Sequence, residues 1–167
     1  MSEPELITEG NLSVQAARYA PYFLSVINNR LSWGASQVYL QLFDIGLNEW
    51  RILSALRNEP GIQALRVGEM VAMNKSVVSR STRRLEEMGH VVAKLDRTKR
   101  LLWLSRSGAE LHDKIFSIAL QRETALLDGF DAAELDTLFA MLERMRANLA
   151  KVDAVDRGMT GRELLPE

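Results

Sequence analysis

Residues 74–90, NKSVVSRSTRRLEEMGH, carry hydroxyl and guanidinium groups at a spacing that suits nucleic-acid chemistry. If this stretch forms a helix, Ser76, Ser79, Arg80 and Arg83 fall together on one face. Arginine pairs with guanine through two hydrogen bonds in the DNA major groove, and hydroxyls bond to bases or phosphates. The spacing therefore predicts a DNA-reading helix, and the alternative from this stretch alone is a solvated basic face.

The opposite face of the same helix is suited to a protein core, because Val78, Thr82 and Leu85 fall on it. Asn74 is a favourable N-cap, and Gly89 is a favourable residue just beyond the C-terminus. The sequence thus predicts one face that packs inward and one that faces DNA.

The charge of the chain is segregated, although the net charge is only −1. Residues 75–106 contain nine Lys and Arg against three Asp and Glu, whereas residues 1–74 and 107–167 both carry an acidic surplus. A basic middle between acidic flanks predicts that a polyanion binds to that segment.

The elements that would position this helix are predicted from the residues that start and stop helices before it. Asn48 is the predicted N-cap of a helix that ends at Pro60-Gly61, and a short helix follows from about Gln63 to Met70. Gly68 predicts that a second helix crosses closely there. Two helices joined by a short turn are typical of a helix-turn-helix.

A β-hairpin is predicted directly after the helix, with strands at Val91–Leu95 and Leu101–Leu104. The polar centre between them holds Arg97, Lys99 and Arg100. Such a hairpin is the wing of a winged helix-turn-helix, and its arginine can enter the minor groove. An exposed turn with solvated charges is the alternative.

Long amphipathic helices are predicted on both sides of this unit, and they carry more apolar surface than it can bury. Pro21 predicts a helix start or a kink, Ser105 caps a helix up to about Leu127, and Asp131 with Glu134 forms a capping box.

Pairing with a second copy would bury the surplus apolar surface of these helices. The predicted fold class is therefore mainly α with a small β-hairpin wing. It is a winged helix-turn-helix flanked by long helices that form a dimerisation domain. The predicted segments are a disordered N-terminus (1–11), N-terminal dimerisation helices (12–45), the DNA-binding winged helix-turn-helix (46–105), C-terminal dimerisation helices (106–150) and a flexible tail (151–167).

The order of elements resembles the MarR family of transcriptional regulators over roughly Tyr22 to Leu149. The matching stretches are RLSWGASQVYLQLFDIGLNEWRILSAL, AMNKSVVSRSTRRLEEMGHV and LWLSRSGAEL. The resemblance implies a homodimeric repressor or activator, of which we predict the repressor, that binds palindromic duplex DNA. It also implies that small molecules, often aromatic acids or phenols, release the protein from DNA.

The chain departs from the family at the tip of the wing, which is about three residues shorter than usual. Asp96 matches the aspartate of the family's Asp-x-Arg, but Thr98 stands where the arginine is expected. Either Arg97 or Arg100 is therefore the predicted groove residue.

The predicted contacts fall into two sets. The predicted DNA-binding residues are Lys75, Ser76, Val77, Ser79, Arg80, Arg83, Arg84, Arg97, Lys99 and Arg100, with Lys75 and Arg84 meeting phosphates. The predicted ligand-binding residues, for which plain core packing is the alternative, are Tyr19, Tyr22, Trp33, Trp50 and Phe116.

Other classes of protein are disfavoured by what the sequence lacks. Without cysteine, disulfides and thiolate metal sites are excluded, and His90 and His112 are isolated packing or surface residues rather than metal ligands. No catalytic set or phosphate-binding loop is present, so neither an enzyme nor a cofactor is predicted. The acidic N-terminus and the lack of a long apolar run predict a cytoplasmic protein without a membrane span. A winged-helix protein-interaction module and a non-specific DNA-binding protein without a ligand remain the alternatives.

Overall fold

The computed structural model describes residues 18–161, which form seven helices and one antiparallel hairpin. The elements are α1 (Ala20–Phe43), α2 (Leu47–Asn58), α3 (Ala64–Val71), α4 (Lys75–Glu87), β1 (Val91–Asp96), β2 (Lys99–Leu104), α5 (Arg106–Leu126), α6 (Ala132–Ala147) and α7 (Leu149–Thr160). This arrangement confirms the mainly α class and the winged helix-turn-helix. The predicted disorder at 1–11 and the start of the 12–45 segment lie outside the described residues.

Helix α1 begins as the proline predicts, with Pro21 in its first turn, where the missing N–H costs no helical hydrogen bond. Its N-terminal half is exposed, and Ala35 and Tyr39 near its C-terminal end are buried. The helix ends at Asp44, whose backbone is left-handed with φ 55°.

The N-cap of α2 is Gly46, so the prediction of Asn48 as the cap is wrong. The backbone N–H of Gly46 donates to the Glu49 carboxylate at 2.9 Å, and the Trp50 N–H donates to the Gly46 carbonyl oxygen. Glu49 thus supplies the reciprocal bond of a capping box. Asn48 lies one residue inside the helix, where its side chain has no capping role.

The turn between α3 and α4 explains Gly68. A Cβ atom at this position would lie 2.9 Å from the carbonyl oxygen of Met73 and 3.5 Å from Cγ2 of Val78. The close approach predicted from the sequence is therefore present, but the tightest neighbour is the backbone of the turn rather than the crossing helix.

Both ends of α4 are as predicted. The Asn74 side chain accepts a hydrogen bond of 2.9 Å from the Val77 N–H, which satisfies one free donor of the first turn. At the other end Gly89 has φ +75°, and the N–H groups of Gly89 and His90 donate to the carbonyl oxygens of Glu86 and Leu85. These two bonds form a Schellman motif, so the helix has a fixed length.

The hairpin is tighter than predicted, because the strands extend to Asp96 and Lys99 and leave a two-residue turn. A further antiparallel bridge, which the sequence did not indicate, joins Ile62 to Leu102. It ties the connection between α2 and α3 to the wing.

The core lies within the winged unit and the helices that touch it. It consists of large apolar side chains from the end of α1, from α2 to α4, from both strands and from α5. The fully buried members include Ile45, Ile52, Leu53, Leu56, Val67, Val78, Leu85, Leu102 and Ile115.

The two C-terminal helices correct the predicted tail. The capping box of Asp131 and Glu134 is present, but α6 ends at Ala147, and α7 occupies most of the segment predicted to be flexible at 151–167. Gly158 lies within the last turn of α7 and Gly161 caps it, so these glycines end a helix rather than prevent one. The residues after 161 lie outside the described part.

No residue of α6 or α7 is buried in the single chain. Within residues 18–161, no helix has both the length and the apolar character that a membrane crossing requires.

Candidate nucleic-acid interface

Helix α4 presents the hydroxyl and guanidinium groups on its exposed face. Ser76, Ser79, Arg80 and Arg83 are exposed, and the opposite side of the helix is packed into the core. The sequence reasoning missed one buried residue on the inner side, Ser81, because a serine beside an arginine gives no apolar signal. The exposed face is free to enter a groove, and the buried face fixes its orientation.

The cations of α4 differ in their partners. Arg83 forms an ion pair of 2.9 Å with Glu87, one turn further along the helix. Arg84 donates to the backbone carbonyl oxygen of Asp44 at 2.7 Å and lies 3.3 Å from the carboxylate. Lys75 and Arg80 have no ion pair within the described part of the chain. Arg80 is therefore the guanidinium that is available to a base without breaking an internal contact.

The partner of Arg84 revises its predicted role. Asp44 is the C-cap of α1, where unpaired carbonyl groups and the helix dipole favour a cation. Arg84 is thus engaged with α1, and its contact with a phosphate stays a prediction that competes with this bond.

The first turn of α4 combines Lys75 and Ser76, which are exposed, with Val77, which is half-buried. The Ser76 hydroxyl donates to the Asn74 side chain at 2.8 Å, so the cap and the first turn are held together. Val77 lies beside exposed polar groups, where an apolar side chain suits a thymine methyl.

The two candidate arginines of the wing, Arg97 and Arg100, differ in position and in contacts. Arg97 lies in the turn, is exposed, and has a left-handed backbone with φ 54°. Arg100 lies two residues after Thr98 on β2, and its Nη2 atom donates to both carboxylate oxygens of Glu86 at 2.5 and 2.6 Å. Lys99 is exposed next to the turn. The tip cation is thus Arg97, and Arg100 faces the helix.

The base of the wing is fixed to the start of α5 by contacts that the sequence did not reveal. A Cβ atom at Gly108 would lie 2.0 Å from the carbonyl oxygen of His90, so only glycine fits there. Ser105 and Ser107 donate from their hydroxyls to the carbonyl oxygen of Gly89. Burial lowers the pKa of the His90 imidazole at this junction.

The aromatic residues proposed for a ligand are only partly brought together. Trp50 stacks on His112 at 5.1 Å between ring centroids, and His112 stacks on Phe116 at 5.7 Å. Tyr39, which the sequence reasoning did not select, packs edge-on against Trp50 at 5.9 Å. His112 is a buried packing residue whose Nδ1 faces the Asp113 carboxylate at 2.9 Å. We call Tyr39, Trp50, His112 and Phe116 the aromatic cluster.

The other three candidates lie apart from these rings. Within residues 18–161, no ring contact joins Tyr19, Tyr22 or Trp33 to the aromatic cluster. They are exposed in the single chain, and the side chain of Trp33 is 69% exposed. They were selected from the sequence as aromatic residues that could line a pocket, and one sequence holds no information on which of them pack together. Nor does any group of three or more His, Asp or Glu in the described part form a candidate metal site.

Comparison with known proteins identifies this architecture. A family model described as winged helix-turn-helix DNA-binding matches residues 47–92, which span α2 to the start of β1. A MarR/EmrR family transcriptional regulator from Acinetobacter sp. ADP1 shares 29% sequence identity, covers 83% of this chain and 99% of its own, and superimposes with a TM-score of 0.77. The resemblance to MarR-family regulators that the sequence indicates is thereby confirmed. The chain accordingly has the architecture of a DNA-binding transcriptional regulator.

Two further solved structures share the MarR-type fold at lower identity. The Staphylococcus aureus MepR–DNA complex has 23% identity and a TM-score of 0.70, with 78% of this chain and 96% of that chain covered. BpsR of Bordetella bronchiseptica, whose DNA binding is regulated by 6-hydroxynicotinic acid, has 19% identity and a TM-score of 0.68, with 80% and 98% covered. A comparison of the sequence with curated proteins finds no match.

Proposed function

We propose that this MarR-family protein is a homodimeric, sequence-specific repressor that binds a palindromic operator. The observation that carries the proposal is the exposed face of α4, formed by Ser76, Ser79, Arg80 and Arg83, together with the exposed cations at the tip of the wing. Two hydroxyls and two guanidiniums on a rigid helix suit base edges and phosphates of the major groove. The MepR–DNA complex supports the proposal, because that protein binds DNA with the same fold.

Dimerisation is supported by the apolar surface that the single chain leaves exposed. The N-terminal half of α1, the second half of α5, and both α6 and α7 carry large apolar side chains on the surface. They include Tyr22, Phe23, Val26, Ile27, Leu120, Leu126, Phe139, Met141, Met145, Val152 and Val155. A surface of this extent is too large for a monomer in water. Twofold pairing would also set two copies of α4 about 34 Å apart, the spacing of successive major grooves.

The proposed effector is a small aromatic acid or phenol bound beside the aromatic cluster. The cluster joins α1, α2 and α5, so a ligand there would touch both the long helices and the winged unit. The Arg122 guanidinium lies close enough to Tyr39 to oppose the rise in the pKa of that phenol that burial causes. A cation near stacked rings suits an aromatic carboxylate. BpsR supports this proposal, because 6-hydroxynicotinic acid regulates its DNA binding.

In vitro selection of duplexes from a random pool tests the operator, since the recovered site gives palindromy and half-site spacing together. We expect an inverted repeat whose half-sites are one helical turn apart, and a dimer by light scattering. Weak binding without sequence preference would instead indicate a non-specific DNA-binding protein, and no binding at low salt would indicate a protein-interaction module. The sign of regulation follows from transcription assays on a template with the selected site, which a repressor silences. We propose that the protein acts in the cytoplasm.

A panel of aromatic acids and phenols tests the effector. We expect at least one compound to raise the melting temperature and to release the selected duplex. Trp50→Leu should abolish both effects, whereas Trp33→Leu should leave both unchanged, because Trp33 lies outside the aromatic cluster. If no compound shifts the melting temperature, the ligand part of the proposal fails.

A further inference from the structure

The wing is joined to α4 by one ion pair that bridges two different elements. Nη2 of Arg100 donates to both carboxylate oxygens of Glu86 at 2.5 and 2.6 Å, across 14 positions of the chain. The side chain of Glu86 is 24% exposed, compared with 64% for the neighbouring Glu87. Glu86 is thus partly withdrawn from water beneath the wing, where screening by solvent and salt is weaker.

The position of Arg100 in the hairpin determines what this ion pair holds. Arg100 lies opposite Leu95, and the next pair, Asp96 and Lys99, closes the turn that carries Arg97. A two-stranded hairpin is marginal on its own, and residues 94–100, which form the tip of this one, are all exposed. Arg100 belongs to the residue pair next to the one that closes the turn. Its ion pair with Glu86 therefore fixes the direction in which Arg97 points relative to the exposed face of α4.

A role for Arg100 in binding DNA directly would conflict with its surroundings. The Nη2 atom of Arg100 could reach a phosphate only by leaving Glu86, and that carboxylate would then stand unpaired beside the negative DNA backbone. Arg97 has no ion pair within residues 18–161 and pays no such cost.

We propose that Glu86 and Arg100 are a positioning pair, which sets the angle between the wing and the recognition helix so that Arg97 enters the minor groove. The proposal rests on the proposed function for its DNA readout. It predicts that a negative charge close to the DNA, that of Glu86, strengthens binding.

The neighbouring carboxylates provide a matched test. Glu86→Gln and Glu87→Gln each remove one negative charge from the same turn of α4, so general electrostatics predicts tighter binding for both. With the selected duplex as probe, we expect Glu87→Gln to bind about 2-fold more tightly. We expect Glu86→Gln to bind about 2- to 5-fold more weakly and to lose protection of the flanking minor groove from hydroxyl radicals.

The reversed pair separates positioning from a mere loss of charge. Arg100→Glu alone should bind more weakly than Arg100→Gln, because it places two carboxylates together. The double variant Glu86→Arg with Arg100→Glu keeps the net charge and should recover minor-groove protection. Equal tightening in Glu86→Gln and Glu87→Gln, or a double variant no better than Arg100→Glu, would overturn the proposal.

A readout without DNA keeps this test independent of the proposed operator. Glu86→Gln should accelerate backbone amide exchange in β1 and β2 and leave that of α6 unchanged, whereas Glu87→Gln should alter neither. If wild-type protein selects no duplex, the proposed function fails, and the exchange data still decide whether the pair holds the wing. Unchanged exchange in β1 and β2 would reject the pair whatever the DNA result.

Discussion

Arg84 of α4 donates a hydrogen bond of 2.7 Å to the backbone carbonyl oxygen of Asp44, across 40 positions of the chain. The carbonyl belongs to the residue that ends α1, and the Asp44 carboxylate lies 3.3 Å from the same guanidinium. The recognition helix is thereby tied to the long helix that precedes the winged unit. Arg84, on the helix proposed to bind DNA, therefore also stabilises the contact between α1 and α4.

This contact makes the salt dependence of DNA binding diagnostic for Arg84. We expect Arg84→Gln to leave the slope of log K against log salt nearly unchanged, while Lys75→Gln, which removes a cation without an internal ion pair, reduces it by about 0.9. The free energy of unfolding should fall by no more than about 0.5 kcal/mol in Arg84→Gln, because both partners are largely exposed and screened. A slope reduced as much as in Lys75→Gln would place Arg84 on a phosphate.

Arg80→Ala should weaken operator binding and relax the preference for one base pair in each half-site. Arg80 is exposed and has no ion pair within the described residues, so it has no internal partner to replace. A bidentate contact with guanine is worth about 1–3 kcal/mol. Competition binding with duplexes changed at single positions measures both effects. Equal losses on all duplexes would show a phosphate contact instead.

Arg97→Gly should raise stability and weaken DNA binding together. The left-handed backbone of Arg97, with φ 54°, is strained for a residue with a Cβ atom, and glycine removes a cost of up to about 1 kcal/mol. Chemical denaturation and operator affinity are the measurements. Arg97→Asn is the matched control, because asparagine tolerates this backbone and likewise lacks the cation. Arg97→Lys, which keeps the charge, should bind more tightly than either; if all three bind like wild type, Arg97 does not contact DNA.

Thr82→Val should raise the free energy of unfolding by about 1 kcal/mol. The Thr82 hydroxyl is buried in α4 and finds no hydrogen-bond partner among the described residues. Valine has nearly the same shape and does not carry that desolvation cost. Thr137→Val serves as the control, because the Thr137 hydroxyl donates to the Ala133 carbonyl oxygen at 2.8 Å on an exposed face. A loss of stability in Thr82→Val would mean that the hydroxyl has a bonded partner.

His90 should contribute to a loss of stability in mild acid. Burial lowers the pKa of its imidazole below the ordinary value for histidine, so the unfolded chain binds the proton more readily than the folded chain. Stability is therefore complete above the unfolded pKa and declines as pH falls towards the folded pKa. We expect the melting temperature to drop less between about pH 8 and about pH 5.5 in His90→Gln than in wild type. Equal drops would show that the imidazole is solvated.

The sequence predicted best those features whose physical cause is local. The cap by Asn74 and the left-handed Gly89 follow from short-range backbone geometry, and both are present. The capping box at Asp131 follows in the same way. Local signals failed where two candidates competed, as at Asn48, whose expected role is taken by Gly46 and Glu49.

Features that depend on tertiary distance were not predictable from one sequence. The pairing of Glu86 with Arg100 requires the exact length of the wing turn, which the strands shorten to two residues. The aromatic cluster likewise depends on how α5 lies against α2, and no spacing within one helix reveals that Trp33 faces away from it. The roles of individual residues in binding DNA or a ligand stay predictions.

The absence of a side chain at Gly108 lets the base of the hairpin pack directly against the start of α5. The carbonyl oxygen of His90 occupies the space that a Cβ atom of residue 108 would fill. The hydroxyls of Ser105 and Ser107 donate to the carbonyl oxygen of Gly89 and hold the two elements together. His112 follows one helical turn after Gly108. We therefore expect a tilt of α5 at that ring to move the base of the wing with it, and the displacement to grow towards Arg97.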